Sequence, residues 1–403
     1  MSLWRSLLIR NFALLWSGQT ISRVGDQLNR IALAWWILEK TGSAAAMGTV
    51  LIFSSVPMIL FALIGGVTVD RFHRPRVMFL SDVLRGIVVA IIAWLVWQDM
   101  LSLEMLFAFS AIFGIVDAFF QPAFTATVPE IVAPAKRPSA NSLTTLSAEF
   151  AGIAGPAIGA GMVALGGTPL AFALDALSFF ISAALLVPLL NLKQDHITNR
   201  AASSPLKDLR QGFQTVLSST WLWGTIGLAS IANFTIAGPI AVALPFLVND
   251  NLNAGVGALG LIYSMFSVGS VISAIVLGRM KRFHHRGIIA YVAWVIGGLL
   301  LSSFGLPVSL WTVALAALGF GAALTVLNLI WANTLQEMVA PEQLGRVASI
   351  DQLGSLGLNP FGYAFAGWAT DRIGAPLLFL LGGIITAAMG AVGLLSKKIR
   401  EVD

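Results

Sequence analysis

Long apolar stretches recur along the chain at roughly residues 12–38, 45–69, 78–97, 102–125, 139–165, 169–190, 220–248, 256–278, 288–306, 308–335, 346–369 and 376–396. Charged residues or Gly and Pro signals separate them. Each is close to the ~20 apolar residues that an α-helix needs to cross a bilayer. Open strands would leave backbone groups without partners in hydrocarbon. The pattern therefore predicts an all-α polytopic membrane protein with twelve transmembrane helices. One connection breaks the rhythm: residues 193–219 are polar, with Lys193-Gln194-Asp195-His196, then Ser203-Ser204-Pro205, then an amphipathic run approaching Trp221. The expected organisation is a six-helix bundle over 1–192, a linker with an amphipathic helix over 193–219, and a second six-helix bundle over 220–403.

Composition supports burial in lipid. Only 11% of the 403 residues are charged and 57% are hydrophobic, whereas a soluble domain is about one quarter charged. The net charge of +5 could suggest nucleic acid, but its distribution gives another reading. With the N-terminus inside, 19 of the 24 Lys and Arg residues fall in cytoplasmic segments and only Lys40 and Arg372 in outer loops. The positive-inside rule then places both termini in the cytoplasm, and no nucleic-acid partner is expected. The chain has no cysteine, which excludes disulfides, thiolate metal sites and cysteine nucleophiles. Arg5 and Arg10 precede an apolar run too long for a signal peptide.

An internal repeat decides the architecture. A shift of 207 residues superposes Glu130 on Glu337, Ala133-Pro134 on Ala340-Pro341, Gly155 on Gly362, Gly167 on Gly374 and Pro169-Leu170 on Pro376-Leu377. A shift of 211 superposes Arg71-Phe72-His73 on Arg282-Phe283-His284. Parallel halves of this kind place a transporter's substrate site near mid-membrane at the interface of the repeats.

The stretch Gly65-Gly66-Val67-Thr68-Val69-Asp70-Arg71-Phe72-His73-Arg74-Pro75-Arg76 resembles the loop 2–3 signature of the major facilitator superfamily. Asn11-Phe12, Leu15-Trp16, Gly18-Gln19, Gly25-Asp26, Phe120-Gln121-Pro122-Ala123, Pro129-Glu130 and Ala140-Asn141 are similar to its macrolide-efflux and enterobactin-exporter subgroup. The resemblance implies the major facilitator fold, a location in the bacterial inner membrane, and a gating latch at Asp70, Arg71 and Arg74. Gly155, Pro156 and Gly159 resemble the family's antiporter motif, although small residues at this spacing also serve helix packing. The arginine that drug–proton antiporters of the superfamily often carry in span 4 is absent; Asp117 is that helix's ionisable group.

Ionisable groups in mid-span are the best pointers to mechanism, because each costs about 2.5–3.5 kcal/mol on insertion scales. Arg23, Asp26 and Arg30 share one face of span 1 at spacings of three and four. Asp117, Glu149 and Asp175 lie on spans 4, 5 and 6, and Asp82 with Arg85 can pair in span 3. Arg23 and Arg30 need counter-charges, so acids and arginines are expected to meet in the N-terminal half. Asp26 is the first candidate for proton coupling and Glu149 the second, followed by Asp117 and by Asp175 nearer the outer surface. Static ion pairs that fix helix register are the alternative. The C-terminal half has Asp351 as its main intramembrane charge, and Gly238-Pro239 with Pro245 predicts a bent span 7. Candidate cavity residues are Asn29, Asn233, Tyr263, Phe266, Asn328 and Trp331, and Trp35, Trp36, Trp97 and Trp368 read as interfacial belts.

The expected function is secondary active export of a hydrophobic or amphiphilic molecule of drug, macrolide or siderophore type, probed first as proton antiport by a monomer in contact with membrane lipids. A lipid or lysolipid translocator of the same fold is the alternative. An enzyme is not expected: His73, His196, His284 and His285 all lie in loops, and neither a His-Glu-x-x-His motif nor a nucleotide-binding loop is present. No metal or cofactor is expected.

Overall fold

In the computed structural model, residues 3–192, 205–279 and 285–400 are described, and every regular element among them is helical. The chain divides into two compact units, Met1–His196 with Gly255–Ser264, and Ile197–Ala254 with Met265–Asp403. Residues 193–204 of the expected linker and the Arg282-Phe283-His284 repeat lie outside the described residues.

Unit 1 contains α1 (Arg10–Thr41), α2 (Ala44–Arg71), α3 (Arg74–Trp97), α4 (Leu103–Ile131) and α5 (Arg137–Leu186). Ser43 and Ser102 cap the starts of α2 and α4 by accepting from the N–H of Ala46 and Met105, which satisfies otherwise orphan donors. Expected spans 5 and 6 run on as α5, bent where Gly166 and Gly167 leave helical geometry. Gly167 adopts φ 73° and ψ −180°, a region essentially restricted to glycine. The main packing partners are α1 with α5, α2 with α4, and α3 with α4 and α5.

Unit 2 follows with α6 (Pro205–Ser218), α7 (Thr220–Gly238), α8 (Leu244–Phe246), most of α9 (Val256–Gly278), α10 (Arg286–Ser302), α11 (Leu310–Met338), α12 (Pro341–Gly357), α13 (Asn359–Ile373), α14 (Ala375–Leu395) and α15 (Lys397–Arg400). Wide π-helical turns at Pro239–Ala243 and Leu247–Asn251 flank α8, in the stretch where Gly238, Pro239 and Pro245 remove or weaken helical hydrogen bonds. Helix α10 packs on α14 and α11, and α7 packs on α14 and α13.

Nine helical segments among the described residues are long and apolar enough to cross a membrane, Pro134–Asn191 being one segment across the Gly166–Gly167 bend. Two expected spans are not among them. Helix α1 carries Arg10, Arg23, Asp26 and Arg30 along its length, and expected span 11 is divided at Leu358 into the shorter α12 and α13.

The repeat is visible in the packing of each unit. In unit 1 a Cβ added at Gly155 would meet Gln27 of α1 at 2.6 Å; in unit 2 one added at Gly362 would meet the carbonyl of Phe234 of α7 at 3.1 Å. Gln27 and Phe234 are themselves 207 residues apart. Gly114 lies on the carbonyl of Ser54 and its counterpart Gly321 on that of Phe266. Gly374, the counterpart of Gly167, has φ 83° and ψ 154°, so both units turn between consecutive helices on the same glycine conformation. Arg74 pairs with Glu130 in one unit, and Arg286 pairs with Glu337 at 2.5 Å in the other.

Trp97 and Trp368 are exposed, as a lipid-facing or interfacial side chain would be. Trp35 and Trp36 differ from the belt reading: they are 8% and 4% exposed and belong to the protein interior, with Trp35 Nε1 donating to Glu39 at 2.7 Å. Their position near a helix end resembled that of a belt, but the neighbouring helices cover them.

Candidate functional site

Small residues seat α1 against α5 and thereby aim its polar face. A Cβ at Gly18 would meet Ser182 at 3.2 Å, and one at Gly25 would press on Ser178 and on the Asp175 carboxylate. On the other side, Arg23, Asp26, Asn29 and Arg30 line a cavity of about 320 Å³ within unit 1. Arg85 of α3 and Phe113, Asp117, Phe120, Gln121 and Phe124 of α4 complete the wall that matters chemically.

Arg85 is the hub of this cavity. It is 3% exposed, and its Nη2 donates to Asp82 Oδ1 at 2.5 Å while Nη1 donates to Asp117 Oδ1 at 3.1 Å. The guanidinium lies 4.1 Å from the ring centroid of Phe120 and 4.7 Å from that of Phe179. The other oxygen of Asp82 accepts from Ser182 Oγ at 2.7 Å, and Gln19 Nε2 donates to that hydroxyl at 3.1 Å. A buried cation is thus held by two carboxylates and two ring faces, the compensation that a charge in a low dielectric requires.

Arg23 and Arg30 behave differently from the expectation that they would pair with acids. Among the described residues neither forms an ion pair. Arg23 donates to the Thr144 carbonyl at 2.8 Å and to Ser147 Oγ at 3.3 Å, beside the ring of Phe124. The Arg30 guanidinium lies 4.4 Å from the ring centroid of Tyr263. A backbone carbonyl and an aromatic face can each take up part of a guanidinium charge without a carboxylate.

Asp175 is fully buried, and its Oδ2 accepts from Asn29 Nδ2 at 2.7 Å. It belongs to the α1–α5 packing rather than to an accessible surface. Among the described residues no hydrogen bond or ion pair ends on Asp26, which lies open to the cavity between Arg23 and Arg30. Glu149 is half-buried and is not among the residues that line this cavity.

Unit 2 holds a second cavity of about 310 Å³, whose lining includes Asn233, Asn328, Trp331 and Asp351. Trp331 Nε1 donates to Asp351 Oδ2 at 2.9 Å. The two cavities are built from equivalent positions. Ser22, Asp26, Asn29, Phe113, Asp117, Phe120, Gln121 and Phe124 line the first. The residues 207 positions further on, Ala229, Asn233, Ile236, Phe320, Leu324, Leu327, Asn328 and Trp331, line the second. Asp26 corresponds to Asn233 and Asp117 to Leu324, so the second cavity lacks charge at these two positions and has Asp351 as its acid.

Two cavity candidates lie elsewhere. Phe266 packs in a cluster with Phe304 and Phe320, and Tyr263 belongs to unit 1 at the face of Arg30. Of the loop residues, the Asp70 side chain is outside the described residues, Arg71 is exposed, and Arg74 pairs with Glu130. Gly155 and Gly159 both lie against α1: a Cβ at Gly159 would meet the Leu28 Cα at 3.0 Å. That contact accounts for two small residues of the motif by packing. Sequence reasoning singled out the Asp82–Arg85 spacing but not the hub role of Arg85, which depends on Asp117 arriving from another helix.

A helical membrane protein with an internal repeat and ionisable groups around a cavity has the make-up of a secondary transporter. The chain belongs to the transmembrane secretion effector family of the major facilitator superfamily, which matches residues 1–403. It is similar to macrolide efflux protein A of Streptococcus pyogenes, 24% identical over 97% of each chain. It is also similar to an enterobactin exporter of Escherichia coli, 26% identical over 92% of this chain and 85% of the exporter. Solved structures share the fold. A bacterial homologue of the iron transporter ferroportin superposes with a TM-score of 0.72 at 15% identity, covering 95% of this chain and 99% of the other. A POT family transporter gives 0.75 at 14% identity, covering 98% and 96%.

Proposed function

We propose that this efflux-type transporter exports a hydrophobic or amphiphilic small molecule, of drug, macrolide or siderophore type, by proton antiport with alternating access. Proton influx at Asp26 drives the cycle, in a monomer with twelve spans embedded in the lipids of the bacterial inner membrane and both termini in the cytoplasm. The names of the relatives support the export of a small molecule. One observation carries the coupling: the Asp26 carboxylate faces the unit 1 cavity with no hydrogen-bond or ion-pair partner among the described residues. Desolvation favours the protonated form of such a group, and access to water or a nearby cation favours its release. Asp82 and Asp117, by contrast, are engaged by Arg85.

Reconstituted into proteoliposomes with an imposed pH gradient, the Asp26→Asn variant is expected to lose gradient-driven transport of a substrate dye while inserting normally. Wild-type transport by that variant refutes the assignment. Glu149→Asn, which alters a side chain outside this cavity, is the comparison. A labelled lysolipid in place of the dye tests the lipid-translocator alternative.

A further inference from the structure

Asp351 of α12 is the one ionisable side chain among the described residues that line the unit 2 cavity, and no lysine or arginine lines it. Its carboxylate receives the Trp331 indole N–H at 2.9 Å, and among the described residues no ion pair ends on it. Trp294 and Phe320 form part of the same wall. Arg286 lines a neighbouring cleft beside Trp331, but it is already paired with Glu337 at 2.5 Å. Thr225, Asn233, Asn328 and Thr386 also line the cavity, but neutral groups do not neutralise a carboxylate taken out of bulk water. Asp82 and Asp117 of unit 1 show the contrast, because there Arg85 supplies the cation.

The repeat sharpens the point. The position equivalent to Asp26 is Asn233, whereas Asp351 has Thr144 as its counterpart. The acid of the second cavity is therefore a separate acquisition on a different helix, not a copy of the proton-coupling candidate. A carboxylate among aromatic rings, with no resident cation, suits a ligand that brings its own positive charge. The charge pairs with the acid, the substituents bury against the rings, and the ring faces attract the cation. The volume is at the lower end of the ~300–1,000 Å³ of drug-sized pockets, which suits the cationic head of a larger amphiphile.

The geometry points to the unit 2 cavity as a recognition site for an organic cation, with Asp351 as counter-ion and Trp331 as the residue that positions its carboxylate. This deepens the export reading by naming a substrate class, and it rests on that reading only for the direction of transport.

The test is equilibrium binding to the full-length protein in nanodiscs, with tetraphenylphosphonium as the cation and triphenylphosphine oxide as a neutral probe of related shape. Asp351→Asn is expected to weaken cation binding by about tenfold to a hundredfold and to leave the neutral probe within about twofold. Trp331→Phe keeps the charge and the ring, so its loss of cation affinity should be smaller. Unchanged cation affinity in Asp351→Asn, equal weakening of both probes, or no preference of the wild type for the cation overturns the proposal. Binding needs no gradient. Asp351-dependent cation binding without efflux in proteoliposomes would refute export and leave the site standing; efflux with no Asp351-dependent binding would do the reverse.

Discussion

Replacing Arg85 by leucine isolates the electrostatics of unit 1. The substitution removes the guanidinium that bridges Asp82 and Asp117 and leaves both acids in place. Asp82 is fully buried, so water cannot take over. Unit charges about 4 Å apart at an effective dielectric of ~20 attract by about 4 kcal/mol. Two such attractions are opposed by repulsion between the acids and by desolvation of three groups. The net truncation cost should be close to the 3–5 kcal/mol observed when one partner of a buried pair is removed, with about 1 kcal/mol more from the lost contact with Phe120. Adding Asp82→Asn removes one orphaned charge, so the double variant should recover about 2 kcal/mol relative to Arg85→Leu alone. Unfolding by sodium dodecyl sulfate in mixed micelles, measured for the four members of the cycle, reads these differences. Wild-type stability in Arg85→Leu, or strictly additive losses in the double variant, would refute the reasoning.

The glycine contacts make two further predictions in the same unfolding assay. Gly114→Val and Gly321→Val drive side chains onto the carbonyls of Ser54 and Phe266; each should cost about 3 kcal/mol or prevent insertion, and a loss under about 0.5 kcal/mol would contradict such close approach. Gly167→Ala and Gly374→Ala force alanine into φ 73° and 83°; each should cost about 1–3 kcal/mol, and neutral behaviour would show that the backbone relaxes there.

Much of the fold was legible because lipid imposes a simple rule on the chain. Apolar runs of bilayer length announce the helices, and Gly155/Gly362 and Gly167/Gly374 announce the repeat. Expected span 11 was less legible because Gly357 and Asn359-Pro360, which mark the interruption at Leu358, sit inside a run of bilayer length. For the site, the three- and four-residue spacing of Arg23, Asp26 and Arg30 placed them on one cavity wall. Their partners were hidden, since a backbone carbonyl such as that of Thr144 leaves no mark in sequence. The same limit applies to Asp175, whose link to Asn29 depends on how closely Gly25 lets two helices approach. Trp35 and Trp36 show the converse: position along a helix suggested an interface, while the neighbours that bury them come from elsewhere in the chain.

The correspondence of the two cavities separates what a duplicated helix bundle must preserve from what it can change. Gly114 and Gly155, which let neighbouring helices touch, have glycine counterparts in Gly321 and Gly362, because a side chain at any of them would press on the helix opposite. The residues they leave facing inward are free of that constraint: aspartate in one copy has become asparagine or leucine in the other with the frame intact. A designer could therefore rewrite the inner surface of either copy independently, moving an acid from one to the other, while treating the glycine contacts as fixed timber.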